Sequence, residues 1–124
     1  MLNNKSILIT GATGSFGQFF VQTILKKYPK IKKIIIFSRD ELKQFEMQQR
    51  LSPEKYKNLR YFLGDIRDKE RLVLALRDIN IIVHAAALKQ VPAGEYNPFE
   101  FIKTNIIGAQ NILEAALING VEKI

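Results

Sequence analysis

The sequence predicts an α/β fold built on a doubly wound parallel sheet, with its strands in the order 3-2-1-4. Three observations predict it. Apolar strand-like runs alternate with helical patterns from one end of the chain to the other. The second run, Lys33-Ile34-Ile35-Ile36-Phe37, is apolar and β-branched throughout its interior, as a strand buried on both faces must be. A glycine-rich turn joins the first run to the first helical pattern. Right-handed crossovers between parallel strands then place the reversal of winding between strands 1 and 4. Ligands of open α/β sheets bind in the crevice at that reversal, outside the carboxyl ends of the strands.

Each element has its own signal. Ser6-Ile7-Leu8-Ile9-Thr10 reads as a short buried strand. Phe16 to about Lys27 carries Phe16, Phe19, Phe20 and Ile24 at helical spacing. Tyr28-Pro29-Lys30 ends that helix, because proline disfavours a helical residue before it. The strand at residues 33–37 follows, then a helix from Asp40 to about Leu51, closed by Ser52-Pro53. Arg60-Tyr61-Phe62-Leu63 is the third strand, and Asp68 is placed to cap a helix reaching Leu76. Ile79 to His84 contains the fourth strand. A loop through Pro92 leads to a long helix from Pro98 to Ile118, with Asn119-Gly120 as its C-terminal signal. Val121-Glu122-Lys123-Ile124 resembles the approach to a fifth strand.

Bulk properties narrow the class. The 124 residues form one domain, and 47% apolar content is enough for a packed core. The absence of cysteine excludes disulfides, thiolate metal sites and a Cys nucleophile, and a single histidine cannot build a multi-His metal centre. No apolar run approaches the roughly 20 residues of a membrane span, and the N-terminus does not read as a signal peptide. A cytoplasmic protein is expected. The formal charge of +7 has two readings, a solvated basic surface or attraction of phosphate-bearing ligands. The basic residues are scattered along the sequence with no aromatic-basic stripe, so no nucleic-acid partner is expected.

The candidate site residues converge on the predicted crevice. In Thr10-Gly11-Ala12-Thr13-Gly14-Ser15-Phe16-Gly17, Gly11 makes the tight turn, Gly14 lets backbone approach a pyrophosphate, and Gly17 permits close packing of the helix. Free N–H groups at the helix start suit phosphate, and Ser15 can add a hydroxyl. The spacing is one residue longer than Gly-x-Gly-x-x-Gly, and its strand–turn–helix setting is what gives it meaning. After the second strand comes Ser38-Arg39-Asp40-Glu41-Leu42-Lys43. Ser38, Arg39 and Lys43 can form a small anion site for a 2′-phosphate, which favours NADP over NAD. Asp40 either reaches a ribose or caps the second helix. Asp65 either accepts from an adenine amino group, with Ile66 covering the ring, or starts a helix through an Asx turn. Ala85 and Ala86 leave room for a ligand or for helix packing, and His84 reads as a hydrogen-bonded core residue. Lys89 lies on the loop over the crevice, and Asn105 is a polar residue on a largely apolar helix.

With these residues in hand, the chain resembles the N-terminal part of an extended short-chain dehydrogenase/reductase with a Rossmann-type fold. Within that group it resembles bacterial UDP-N-acetylglucosamine 4,6-dehydratases and related polysaccharide-biosynthesis epimerases. Beyond the glycine loop, the resemblance rests on Phe37-Ser38-Arg39-Asp40-Glu41, Gly64-Asp65-Ile66-Arg67-Asp68, Glu95-Tyr96-Asn97-Pro98, Lys103-Thr104-Asn105-Ile106-Ile107-Gly108 and, most specifically, His84-Ala85-Ala86-Ala87-Leu88-Lys89-Gln90-Val91-Pro92. It implies cofactor contacts at Thr13 to Phe16, Ser38 to Lys43, Asp65, Ile66, Ala85, Lys89 and Asn105, with Lys89 also touching a UDP-sugar substrate. It implies a homo-oligomer, cytoplasmic or a cytoplasmic part of a membrane protein. The family's chemistry passes hydride from sugar C4 to the nicotinamide, eliminates water across C5–C6, and returns the hydride to C6. Its Tyr-x-x-x-Lys pair follows the fifth strand, so residues 1–124 are expected to hold an incomplete domain with no catalytic residue, inactive alone. The one formal match here, Tyr28 to Lys32, is interrupted by Pro29 and lies at the wrong place. A UDP-sugar 4-epimerase fragment or a non-catalytic dinucleotide-binding module are the alternatives.

Overall fold

The computed structural model describes residues 2–84 and 98–124, without the side chains of residues 15, 16 and 98–106. Its elements are β1 (Ser6–Thr10), α1 (Ser15–Lys27), β2 (Lys33–Ser38), α2 (Glu41–Arg50), β3 (Leu59–Leu63), α3 (Lys69–Ala75), β4 (Ile81–His84) and α4 (Pro98–Asn119). The four strands form one sheet in the order β3-β2-β1-β4, as expected of the doubly wound fold. All pairs are parallel, with Leu8 opposite Ile35 on one side and Ile82 on the other.

The period-two alternation of a strand divides the core into two layers. Ile7 and Ile9 of β1 and Ile34 and Ile36 of β2 face Val21 and Ile24 of α1 and Met47 of α2. Leu8 of β1 and Ile35 and Phe37 of β2 face Leu72 and Ala75 of α3 and Ile112 and Ala115 of α4. The central strand β1 is buried along its whole length, with an apolar run Ile7-Leu8-Ile9 between buried Ser6 and Thr10.

The helix ends follow local chemistry. Asp40 accepts from the Lys43 N–H at 3.0 Å and Asp68 from the Arg71 N–H at 3.1 Å, so both carboxylates are N-caps. Past α4, Gly120 takes φ +70°, the left-handed conformation that favours glycine after a helix. Two strand limits moved by a residue. Ser38 is the last residue of β2, paired with Leu63, rather than the first residue beyond it. Leu59, fully buried, opens β3 one residue earlier than expected, and β4 starts at Ile81 while Ile79 packs into the core ahead of it.

The residues after α4 lie against β4. Ile81 and Lys123 form a parallel bridge, and the Ile82 N–H donates to the Lys123 carbonyl at 2.9 Å. The outer edge of β4 is therefore partly covered at its first residues. Topology also gathers charges that are dispersed in sequence. The connections from helix to strand all emerge at the amino edge of a parallel sheet, which brings exposed Lys30 and Lys32, before β2, near exposed Lys55 and Lys57, before β3. This edge is opposite the crevice at the β1–β4 reversal.

Candidate functional site

The site begins at the turn from β1 into α1. Gly11 has φ +71°, a conformation that costs an L side chain energy, and this bends the chain away from the strand. Gly17 lies one turn into α1. A Cβ there would overlap the Ala12 backbone deep inside van der Waals contact, so the glycine sets how closely the helix lies on its own loop. Gly14 serves neither purpose. Its φ is −78°, open to any residue, and no described atom lies within 4 Å of where its Cβ would be. It leaves open space at the helix start.

That helix start is also uncapped. Gly14 occupies the N-cap position of α1 with no side-chain cap bond among the described residues, and the first turn contains no acidic residue. Both α2 and α3 have an aspartate cap and an acidic first turn. Among the described residues, the first N–H groups of α1 and the positive end of its dipole thus have no intramolecular anion. Gln18 donates to the Thr13 carbonyl at 3.0 Å and braces the loop.

At the end of β2, the charged groups have local partners. Arg39 Nη1 lies 3.7 Å from Asp65 Oδ2, with 64% of the Arg39 side chain exposed. The Lys43 amide, rather than its ammonium, is engaged, on Asp40. Ser38, Arg39 and Lys43 lie together at the end of β2 and the first turn of α2. Asp40 takes the capping role of its two readings. Glu41 and Leu42 are exposed in the first turn of α2.

Asp65 likewise adopts its local reading. Oδ1 accepts from the Arg67 N–H at 2.9 Å, an Asx turn, and Oδ2 accepts from Arg67 Nη2 at 2.6 Å. The Arg67 guanidinium bonded to the carboxylate holds its pKa below the ordinary value against the opposing effect of burial. Ile66 packs against α4, where Gly108 is the matching hollow: a Cβ at Gly108 would overlap the Ile66 side chain. Asn111 donates to the Ile66 carbonyl at 3.0 Å and the Arg67 carbonyl at 2.9 Å, locking the β3–α3 turn onto α4. On β4, His84 Nδ1 and Thr10 Oγ1 are 2.6 Å apart, so the histidine is hydrogen-bonded across the β1–β4 pair. Burial pushes the imidazole pKa below 6.5.

Ala85, Ala86 and Lys89 lie outside the described residues, as do the side chains of Ser15, Phe16 and Asn105. Tyr28 caps the end of α1 by donating its N–H to the Ile24 carbonyl at 2.8 Å, and residues 29–32 are not helical. The Tyr28–Lys32 match stands at the amino edge, away from the crevice. Gln44 is the residue that sequence reasoning missed. It is 3% exposed on an otherwise polar helix and donates to Ser38 and Phe62.

A parallel 3-2-1-4 sheet with a glycine turn and an open helix start at its reversal is the Rossmann type of nucleotide-binding fold. The chain belongs to the polysaccharide biosynthesis protein family, whose model matches residues 7–124. It is 57% identical over 123 residues to a UDP-N-acetylglucosamine 4,6-dehydratase (inverting) of Campylobacter jejuni, an alignment covering 99% of this chain and 36% of the relative. It is 47% identical over 126 residues to a UDP-glucose 4-epimerase of Rickettsia bellii, covering 100% and 36%. Among solved structures, the dTDP-glucose 4,6-dehydratase DesIV of Streptomyces venezuelae, with NAD and TYD bound, matches with a TM-score of 0.74 and 30% identity, over 94% of this chain and 37% of that one. The chain thus spans little more than a third of the length of these relatives. Among the described residues, no helix is long and apolar enough to cross a membrane.

Proposed function

We propose that this chain is the dinucleotide-binding part of a nucleotide-sugar 4,6-dehydratase acting on a UDP-N-acetylglucosamine-type sugar for surface-glycan biosynthesis, with NADP preferred to NAD. The observation that carries the cofactor reading is the open, uncapped start of α1 beside Gly14, which fits a pyrophosphate in charge, donors and space. The similarity to a dehydratase solved with NAD supports a nicotinamide cofactor, and the similarity to the Campylobacter enzyme supports the substrate class.

In this reading the backbone from Thr13 to Phe16 receives the pyrophosphate, and Ala85, Ala86, Lys89 and Asn105 serve the nicotinamide side, with Lys89 reaching the sugar nucleotide. Ser38 to Lys43 border the adenosine end. The exposed Arg39 can leave its solvent-screened contact with Asp65 for a 2′-phosphate, because such surface pairs are worth about 0–1 kcal/mol. Asp65 and Ile66 flank the adenine. When bound, the nicotinamide takes up a hydride and returns it. The residues of this chain bind and orient the cofactor, and the acid and base are supplied from outside residues 1–124, so the segment alone turns nothing over. The full protein is cytoplasmic at this domain and assembles as a homo-oligomer.

A second reading, a UDP-sugar 4-epimerase, is favoured by the 47% identity to the Rickettsia protein. Incubating the full-length protein with UDP-N-acetylglucosamine separates the two. A dehydratase releases a 4-keto-6-deoxy sugar nucleotide lighter by one water, whereas an epimerase returns a C4 epimer of unchanged mass. No product of either kind contradicts both and leaves a binding module.

A further inference from the structure

We propose that Gln44 is a positioning residue of the cofactor site, which fixes the Ser38 hydroxyl as a hydrogen-bond donor and thereby sets preference for a 2′-phosphorylated dinucleotide. The proposal rests on the cofactor reading above. Gln44 sits one turn into α2, on the side that faces the sheet, and is 3% exposed. Its Nε2 lies 3.3 Å from the Ser38 carbonyl, 3.2 Å from the Phe62 carbonyl and 2.8 Å from Ser38 Oγ. Two carbonyl oxygens can only accept, so the atom facing them is the amide nitrogen and the amide's orientation follows from its partners. An amide nitrogen does not accept. The Ser38 hydroxyl therefore receives Gln44's hydrogen through its lone pair, and its own hydrogen must be donated elsewhere.

A buried group thus biases the hydroxyl's polarity. A free serine hydroxyl has one hydrogen and two lone pairs to offer a ligand. Held by Gln44, Ser38 has one lone pair taken and keeps its hydrogen for another partner, at the last position of β2, one residue before exposed Arg39. A phosphate monoester presents only acceptors there and is satisfied. A ribose hydroxyl accepts this hydrogen too, but gains none of the charge assistance that makes a bond to phosphate stronger. The same amide also straps the ends of β2 and β3 together, so the donor is held on a rigid strand end.

The test is calorimetric titration of NADP and NAD into the full-length protein and its Gln44→Met, Ser38→Ala and doubly substituted variants, with melting temperature recorded for each. Loss of a charge-assisted hydrogen bond predicts that Ser38→Ala lowers NADP affinity roughly tenfold more than NAD affinity. Gln44→Met is expected to shift the NADP:NAD ratio in the same direction, and to shift it no further once Ser38 is alanine. Equal loss of both cofactors in Gln44→Met, or a ratio shift that persists without the Ser38 hydroxyl, overturns the proposal and leaves Gln44 a structural strap. Should Gln44→Met fail to fold, an unchanged ratio in Ser38→Ala overturns it just as well. A parent protein that binds NAD as tightly as NADP contradicts the cofactor reading itself, and the proposal falls with it.

Discussion

Gly17 and His84 show how single residues constrain the crevice. A methyl group at Gly17 meets the Ala12 backbone, which cannot move aside as a flexible side chain does. Gly17→Ala is expected to destabilise the fold by about 1–3 kcal/mol, the usual cost of overpacking, in a chemical denaturation curve. His84 is the only histidine of the sequence, and burial lowers its pKa. As pH falls, the unfolded chain therefore takes up the proton before the folded one does. The imidazole's contribution to stability is whole above about pH 6.5 and is lost as pH drops from there through the lower folded value. Denaturation midpoints between pH 5 and 7 are expected to fall with acidification in the native protein and to flatten in His84→Gln; an equal slope in both would place the effect elsewhere. Gly11 and Gly17 were legible because their spacing relative to a strand and a helix already states a backbone requirement. Gln44 was not, because its partners are a side chain and carbonyls on two separate strands. A glutamine on a polar helix gives no sign of burial until the fold turns it inward, while Leu42 and Phe45 beside it stay exposed.

At the scale of elements, the contrast between helix starts carries the functional reading. The aspartates that begin α2 and α3 satisfy their own helices, whereas α1 starts at a glycine and leaves its donors for something else. Asp40→Ala is expected to cost about 1 kcal/mol of stability, typical of a lost N-cap. The comparison between urea midpoints of the native and substituted protein reads it directly. Were the carboxylate chiefly a ribose ligand, NAD and NADP affinity would fall and the midpoint would stay. Helix limits could be read to within a residue, since Pro29, Asp40, Asp68 and Gly120 act locally. The limits of β2 and β3 moved by one residue each, for a non-local reason. Whether Ser38 or Leu59 belongs to the sheet depends on Leu63 and Ile34 standing opposite, which no local pattern encodes.

At the scale of the whole molecule, strand order was predictable because handedness leaves few alternatives, but the distribution of charge was not. Lysines scattered in sequence meet at the amino edge, since a parallel sheet returns every helix-to-strand connection to the same side. A five-residue strand spans roughly 17 Å, about two Debye lengths at physiological salt. These lysines therefore contribute little to attracting phosphate to the crevice, and the local donors of α1 and Arg39 must supply that attraction. The Ile81–Lys123 bridge sets the residues after α4 beside β4.

The most direct test of this account is a crystal structure of the full-length protein with NADP. The account predicts the pyrophosphate against the N–H groups at the start of α1, beside Gly14, and the 2′-phosphate between Ser38 and Arg39. A dinucleotide bound elsewhere, or a pyrophosphate that does not touch the α1 start, would contradict it.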